Sequence, residues 1–191
     1  MLDKKFWGTI ALAQGDNDKS RRIIISHSNS ALHLAKQAIF AMHRDNLKEA
    51  KEKIVESENI LQRLQKDFAK KQNLIKEGAW SAAREEYTEA KLFFSYVSGK
   101  AVGQIKEIKI LPEEYLGGLS DFTGELLRRA VLLSTKQKFQ EVETIAEEVA
   151  TVIHFLLSQN LSGVLRTKFD QAKKNQNRIE QMMYEISLQK K

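Results

Sequence analysis

The sequence predicts an all-α protein. Apolar residues recur at helical spacing through most of the chain, Lys and Glu alternate between them, and the 191 residues include a single proline. The strand-like run Ile23–Ile25 lies within one of these helical repeats. We therefore expect about seven helices in a single helical domain spanning residues 1–191, a length sufficient for one sizeable core.

The predicted helices follow one another with short breaks. Asp16, Asn17 and Asp18 are suitable N-cap residues for the first helix, and the pair Glu77-Gly78 predicts a break before the third. The stretch from Lys100 to Leu111 has the least regular pattern. The predicted helices cover approximately residues 19–44, 47–74, 79–97, 112–131, 140–157 and 164–188.

Composition excludes several classes of function. The chain has no cysteine, so disulfides, thiolate-bound zinc and cysteine nucleophiles are excluded, and any metal must be held by oxygen or histidine. The absence of cysteine suits a cytoplasmic protein, and no stretch approaches the ~20 apolar residues of a membrane span. A net charge of +6, from 31 Lys and Arg against 25 Asp and Glu, favours an anionic partner such as nucleic acid.

The helix beginning at Pro112 carries acids at the border of its apolar stripe. Proline is well suited to a first helical position because its missing N–H would be unpaired there. Asp121 and Glu125 are one turn apart, so their carboxylates lie together beside the core-facing side chains. Each helical glycine costs about 1 kcal/mol relative to alanine. We therefore expect the glycines of this helix, Gly117, Gly118 and Gly124, to permit close approach by a neighbouring helix or a ligand.

A second acidic pair occurs in the preceding helix. Glu86 and Glu89 are three residues apart on a face that is otherwise mostly apolar. If the two helices pack side by side, four carboxylates can converge, which is the donor set that Mg²⁺ or Mn²⁺ prefers. The alternative is that these acids are solvated or form ion pairs with arginines, namely Arg84, Arg128 or Arg129.

Basic residues offer candidate phosphate contacts. Arg128 lies one turn beyond Glu125 and could bind a phosphate, but an ion pair with Glu125 or Glu89 is the competing interpretation. A basic helix start is formed by Lys19, Arg21 and Arg22, where phosphate contact competes with simple solvation. The histidines have no Glu-x-x-His spacing and are expected in core or surface roles; they are His27, His33, His43 and His154.

Two stretches resemble the paired signatures of the translin family, and most closely those of its translin-associated factor X branch. The first is Glu-Tyr-Thr-Glu-Ala at residues 86–90, and the second is Gly-Leu-Ser-Asp-Phe-Thr-Gly-Glu-Leu-Leu-Arg at residues 118–128. The resemblance extends over about Ser20 to Leu188. The short connection between Lys100 and Leu111 is similar to that of the compact archaeal members.

This resemblance implies an all-α fold that assembles into a hollow shell, usually of eight subunits, with nucleic acid held inside. It implies Mg²⁺-dependent cleavage of RNA, with Mn²⁺ as a possible substitute. The family motif assigns the metal-binding and catalytic roles to Glu86, Glu89, Asp121 and Glu125. Plain translin subunits lack the full acidic set and bind without cutting, so the complete set here indicates the nuclease branch.

The sequence therefore supports three hypotheses. The first is a metal-dependent endoribonuclease acting in the cytoplasm inside a homo-oligomer, expected to be an octamer. The second is a non-catalytic oligomer of the same fold that binds single-stranded nucleic acid, either RNA or DNA. The third is a purely structural helical oligomer.

Overall fold

The computed structural model describes residues 3–71 and 74–189, and within these residues it contains helices and no strand. The described part therefore confirms the all-α prediction, although it has six helices rather than about seven. In chain order the helices are α1 (Lys4–His43), α2 (Leu47–Phe68), α3 (Gly78–Val97), α4 (Pro112–Thr135), α5 (Phe139–Leu157) and α6 (Gly163–Gln189).

Helix α1 begins much earlier than predicted. The prediction of a start near Lys19 is wrong, because the helix runs without interruption from Lys4 and its N-cap is Asp3, whose carboxylate accepts from the Phe6 amide at 3.0 Å. No proline interrupts this stretch, and Gly15 costs only about 1 kcal/mol in a helix that is already propagating. The acids at 16–18 are therefore helical residues rather than caps.

The other helix ends are close to their predicted positions, with one exception. Helix α3 begins at Gly78, at the predicted break, and α4 begins at Pro112, where Glu113 and Glu114 occupy the first turn. Helix α2 ends at Phe68, before the predicted end at residue 74. The segment between α3 and α4 is irregular, as predicted, and Ile108 anchors it in the core.

The helices form two groups that meet along one seam. Helix α1 packs against α2 and α3, whereas α4 packs against α5 and α6, and the contact between α3 and α4 joins the two groups. The predicted apolar stripe of α4 is buried in full: Leu119, Phe122, Leu126, Ala130 and Leu133. Among the described residues, no helix is both long and apolar enough to span a membrane.

Two glycines of α4 bring the seam together. A Cβ at Gly118 would lie 2.7 Å from the Glu85 carbonyl oxygen and 2.8 Å from the Thr88 Cβ, so only glycine fits against α3 here. A Cβ at Gly117 would overlap the carboxylate of Glu85. Gly124 differs, because its nearest neighbour would be Asn175 Nδ2 at an ordinary 3.5 Å. The prediction of close approach is confirmed at the first two glycines and is wrong at Gly124.

Candidate acidic site at the α3–α4 seam

The four predicted carboxylates lie on the two sides of this seam, with Glu86 and Glu89 on α3 and Asp121 and Glu125 on α4. Burial raises the pKa of Glu89 well above its usual range, and the negative charges of Glu86, Asp121 and Glu125 raise it further. Burial likewise raises the pKa of Glu86. The packing of α3 on α4 has thus placed four acids within electrostatic reach of one another.

Helix α1 supplies partners for two of these acids. His43, at the last turn of α1, is hydrogen-bonded through Nε2 to Glu125, and its side chain is only 4% exposed. The His43 ring stacks on Phe93 with centroids 4.9 Å apart, and its Nδ1 is buried without a hydrogen-bond partner among the described residues. Two turns earlier, Lys36 Nζ lies 3.7 Å from Glu86 Oε2.

Helix α6 supplies a partner from the opposite side. The ammonium of Lys168 bridges Asp121 on α4 and Glu85 on α3, with Nζ 3.0 Å from Glu85 Oε1. Burial opposes the charge of Lys168, but its hydrogen bonds to the two carboxylates outweigh burial, so its pKa is raised. Asp121 and Glu85 therefore share one cation.

The acids outnumber the cations that face them. The cluster contains five carboxylates, which belong to Glu85, Glu86, Glu89, Asp121 and Glu125. Against them stand two lysines, Lys36 and Lys168, together with the histidine of α1. Burial is the main reason that the pKa values of the three α3 acids are raised.

The donor set fits a hard divalent cation, but the side chains are not arranged as a closed set of ligands. Carboxylate oxygens are the donors that Mg²⁺ and Mn²⁺ prefer. Within residues 3–71 and 74–189, no three side chains of the types His, Cys, Asp and Glu are grouped closely enough to hold a metal ion. Asp121 and Glu125 instead contact Lys168 and His43, so a cation between the helices would compete with these partners.

The arginines proposed as alternative partners lie elsewhere. Arg84 pairs with Glu114, with Nε 2.9 Å from Oε1, and Arg129 pairs with Asp45 at 2.7 Å. The guanidinium of Arg128 lies over the Phe40 ring, 5.0 Å from its centroid, and not against Glu125 or Glu89.

The predicted nucleic-acid contacts are distributed over the surface. Arg128 is exposed, as are Lys19 and Arg22 on α1. Arg21 is exposed too, but it forms an ion pair with Glu77 at 2.9 Å.

Sequence reasoning missed four members of the cluster. Glu85 could have been found, because it precedes the first predicted acid and faces the glycine pair of α4. Lys36 and His43 carried no such signal, and His43 was expected in a core or surface role. Lys168 is 47 residues from Asp121 along the chain, so no local pattern could connect them.

The comparisons with known proteins agree with this fold. The model of the translin family matches residues 16–190. No curated protein gives a significant match. The crystal structure of apo-NeC3PO is 20% identical, with a TM-score of 0.85, and the match covers 96% of this chain and 97% of that chain. The AfC3PO complex with duplex RNA is 18% identical, with a TM-score of 0.84, over 95% of this chain and 96% of that chain.

A second AfC3PO crystal structure gives the same result, with 18% identity, a TM-score of 0.82 and coverage of 95% of this chain and 97% of that chain. At these identities the similarity establishes the fold alone. Because the family model covers most of the chain and the solved structures share its helical architecture, this protein belongs to the translin family.

Proposed function

We propose that this protein is a Mg²⁺-dependent endoribonuclease that works as a homo-oligomeric shell, with RNA held inside. The observation that carries the proposal is the convergence of Glu86, Glu89, Asp121 and Glu125 at one partly buried seam, where acids exceed cations. Such an excess of negative charge destabilises the fold, and strongly perturbed acids of this kind cluster at functional sites.

The residues that would hold the cation are Glu89, Asp121 and Glu125, with Glu86 either a further ligand or the group that orients the attacking water. A bound Mg²⁺ or Mn²⁺ would lower the pKa of that water and neutralise charge on the scissile phosphate. The glycine pair of α4 holds the two acidic helices at a short distance, so backbone packing keeps the four carboxylates near one another, and a bound cation would compete with Lys168 and His43 for two of them.

The RNA part of the proposal is supported by a relative and by charge. AfC3PO has been solved with duplex RNA, and its fold is that of this chain. Lys19, Arg22 and Arg128 are exposed cations that could contact phosphates, and the net charge of +6 favours such a partner. Arg21 is a weaker candidate, because its guanidinium is already paired with Glu77.

The oligomer is supported by exposed apolar surface on the first turns of α1. Phe6, Trp7 and Ile10 lie on one side of the helix and Leu12 on another, and each is more than half exposed, which is unusual for neighbouring apolar side chains without a partner. The apolar residues of α6 give no such support, because Phe169, Ala172, Ile179 and Ile186 are buried within the chain itself. We expect an octamer. Light scattering that shows a monomer at micromolar concentration would rule out the shell.

The test of activity is cleavage of end-labelled RNA with Mg²⁺, with and without EDTA. We expect cleavage by the wild type only when Mg²⁺ is present. The Asp121→Asn variant keeps the shape of the side chain but loses its charge. Removal of a residue that only hydrogen-bonds to a metal ligand already costs up to about a hundredfold in activity, so loss of a ligand should lower the cleavage rate by about a hundredfold or more. Asp67→Asn, an exposed acid on α2, is the matched control and should cleave normally.

The second candidate is a non-catalytic oligomer of the same fold that binds single-stranded RNA or DNA. It is favoured by the pairing of Asp121 with Lys168 and of Glu125 with His43, which gives both acids a structural role without any metal. Retention of labelled RNA without Mg²⁺-dependent cleavage would support this candidate and contradict the nuclease. Undiminished cleavage by Asp121→Asn would contradict the proposed site.

A further inference from the structure

We propose that Lys168 is an internal counter-ion that competes with a divalent cation for Asp121 and that withdraws to Glu85 when the cation binds. This inference rests on the proposed metal site and adds a residue of α6 to it. Lys168 is the one side chain described here that joins α6 to both acidic helices of the seam through ion pairs.

The first support is the position of the ammonium. Its Nζ is bonded to a carboxylate oxygen of Asp121, one of the three proposed metal ligands, and lies 3.0 Å from Glu85. The oxygen that accepts from an ammonium has fewer lone pairs left for a metal. A monovalent and a divalent cation at one carboxylate also repel each other. Lys168 and the metal therefore compete for Asp121.

The second support is the way in which Glu85 is held. Its carboxylate fills the space next to Gly117, where any side chain on α4 would overlap it. Glu85 thus lies near Asp121 at the seam, and it provides the ammonium with a second carboxylate. When Lys168 leaves Asp121, it keeps its ion pair with Glu85. Without Glu85, Lys168 would become an unpaired and partly buried charge, which is strongly destabilising.

The third support is the balance of charge at the seam. The acids of α3 and α4 repel one another: burial is the main cause of the raised pKa of Glu89, and its acidic neighbours raise that pKa further, whereas Lys168 lowers it. The fold can thus keep its acids close together before metal binds. By thermodynamic linkage, the same contact weakens metal affinity, because the ammonium and the metal compete for one carboxylate.

The chain provides a matched control for this role. Lys91 on α3 also faces two acids, with Nζ 2.5 Å from Glu107 and 3.7 Å from Glu58, and its side chain is 20% exposed against 23% for Lys168. Lys91 lies away from the acidic site. Lys91→Gln therefore removes the same kind of bridge without touching the proposed metal ligands.

The experiment measures Mn²⁺ affinity by calorimetry in the full-length protein, for the wild type and for Lys168→Gln, Lys91→Gln and Asp121→Asn. We expect Lys168→Gln to bind Mn²⁺ about tenfold more tightly, within the usual range for coupling between two ligands. Lys91→Gln should match the wild type, and Asp121→Asn should lose binding. In EDTA, both lysine variants should melt at a lower temperature than the wild type.

A second measurement uses only the wild-type protein, so its outcome does not depend on whether a variant folds. Amine acylation of the wild type, followed by mass spectrometry of its peptides, should label Lys168 several-fold faster with Mg²⁺ than with EDTA. Lys91 should be labelled at the same rate in both conditions. Protection of Lys168 by Mg²⁺ would overturn the inference.

The outcomes separate the inference from the function on which it rests. Mn²⁺ binding that Asp121→Asn abolishes but Lys168→Gln leaves unchanged or weakens contradicts only the role of Lys168. Wild-type Mn²⁺ binding that survives Asp121→Asn contradicts the metal site itself. Binding by Lys168→Gln but not by the wild type would support competition at Asp121, but it would contradict the withdrawal of Lys168 to Glu85 and the metal-dependent function.

Discussion

Glu114 and Glu89 are both buried carboxylates at the α3–α4 seam, 2% and 8% exposed, but their surroundings are opposite. Glu114 accepts hydrogen bonds from Arg84 Nε, Ser81 Oγ and the Leu111 amide, each at 2.9 Å. Glu89 instead has acids as its main charged neighbours, and its pKa is raised by burial and, to a smaller extent, by these acids.

The difference separates a structural acid from the acid that we propose as a metal ligand. A buried charge whose lone pairs are satisfied by a guanidinium and an amide joins two helices, and it caps α4 as well. A buried acid among acids contributes no such bond and costs stability, and acids of this kind are enriched at functional sites. The same residue type therefore has opposite effects within one seam.

The largest expected effect is on the structural acid. Glu114→Gln keeps the shape but leaves the buried guanidinium of Arg84 without its counter-charge, and removal of one partner of such a pair costs about 3–5 kcal/mol. We expect this loss in the free energy of unfolding measured by urea denaturation. A loss below about 1 kcal/mol would show that Glu114 is no more structural than a surface acid.

A smaller effect is expected from the spacing of the seam. The added Cβ of Gly118→Ala would press on the backbone of α3, so we expect a loss of about 1–3 kcal/mol and a displacement of the acidic pairs. Gly124→Ala, one and a half turns later in α4, meets only an ordinary contact and should gain up to about 1 kcal/mol from helix propensity. Equal stability of the two variants would contradict close approach at Gly118.

The smallest effect is expected at Glu89, where the change should stabilise the fold, as Gly124→Ala does. Glu89→Gln removes a carboxyl whose charged form is disfavoured by burial and by its neighbours, so without metal at neutral pH it should raise the free energy of unfolding. The pKa of Glu89 is higher in the folded protein than in the unfolded chain. The contribution of the protonated carboxyl to stability is therefore complete below the usual pKa of 4.5, and it is lost as the pH rises through the higher pKa of the folded state.

The advantage of Glu89→Gln over the wild type should therefore shrink as the pH is lowered toward 4.5, where the wild-type carboxyl is itself protonated. Thermal melts of both proteins in EDTA, between neutral pH and pH 4.5, measure this advantage. Glu113→Gln, an exposed acid of α4, should stay within about 0.5 kcal/mol of the wild type. An advantage that grows as the pH falls would contradict the assignment of Glu89 as a destabilised acid.

The sequence by itself determined which residues face the seam. The helical period places Asp121 and Glu125 at the edge of the stripe that Leu119 and Leu126 bury, and this depends only on spacing within one helix. Local chemistry also set the start of α4 at Pro112. Local chemistry gave the wrong start for α1, because the helix continues through the acids at 16–18 that are suited to capping.

Only the tertiary structure decided how the acids are paired. Whether α3 and α4 lie side by side depends on contacts such as that of Gly118 with the α3 backbone, which no periodicity encodes. The partners of Glu125 and Asp121 lie 82 and 47 residues away, on α1 and α6, and reach the seam because those helices pack on either side of it. Charge pairing between helices is set by distance in space, whereas a sequence pattern reports only the face of a single helix.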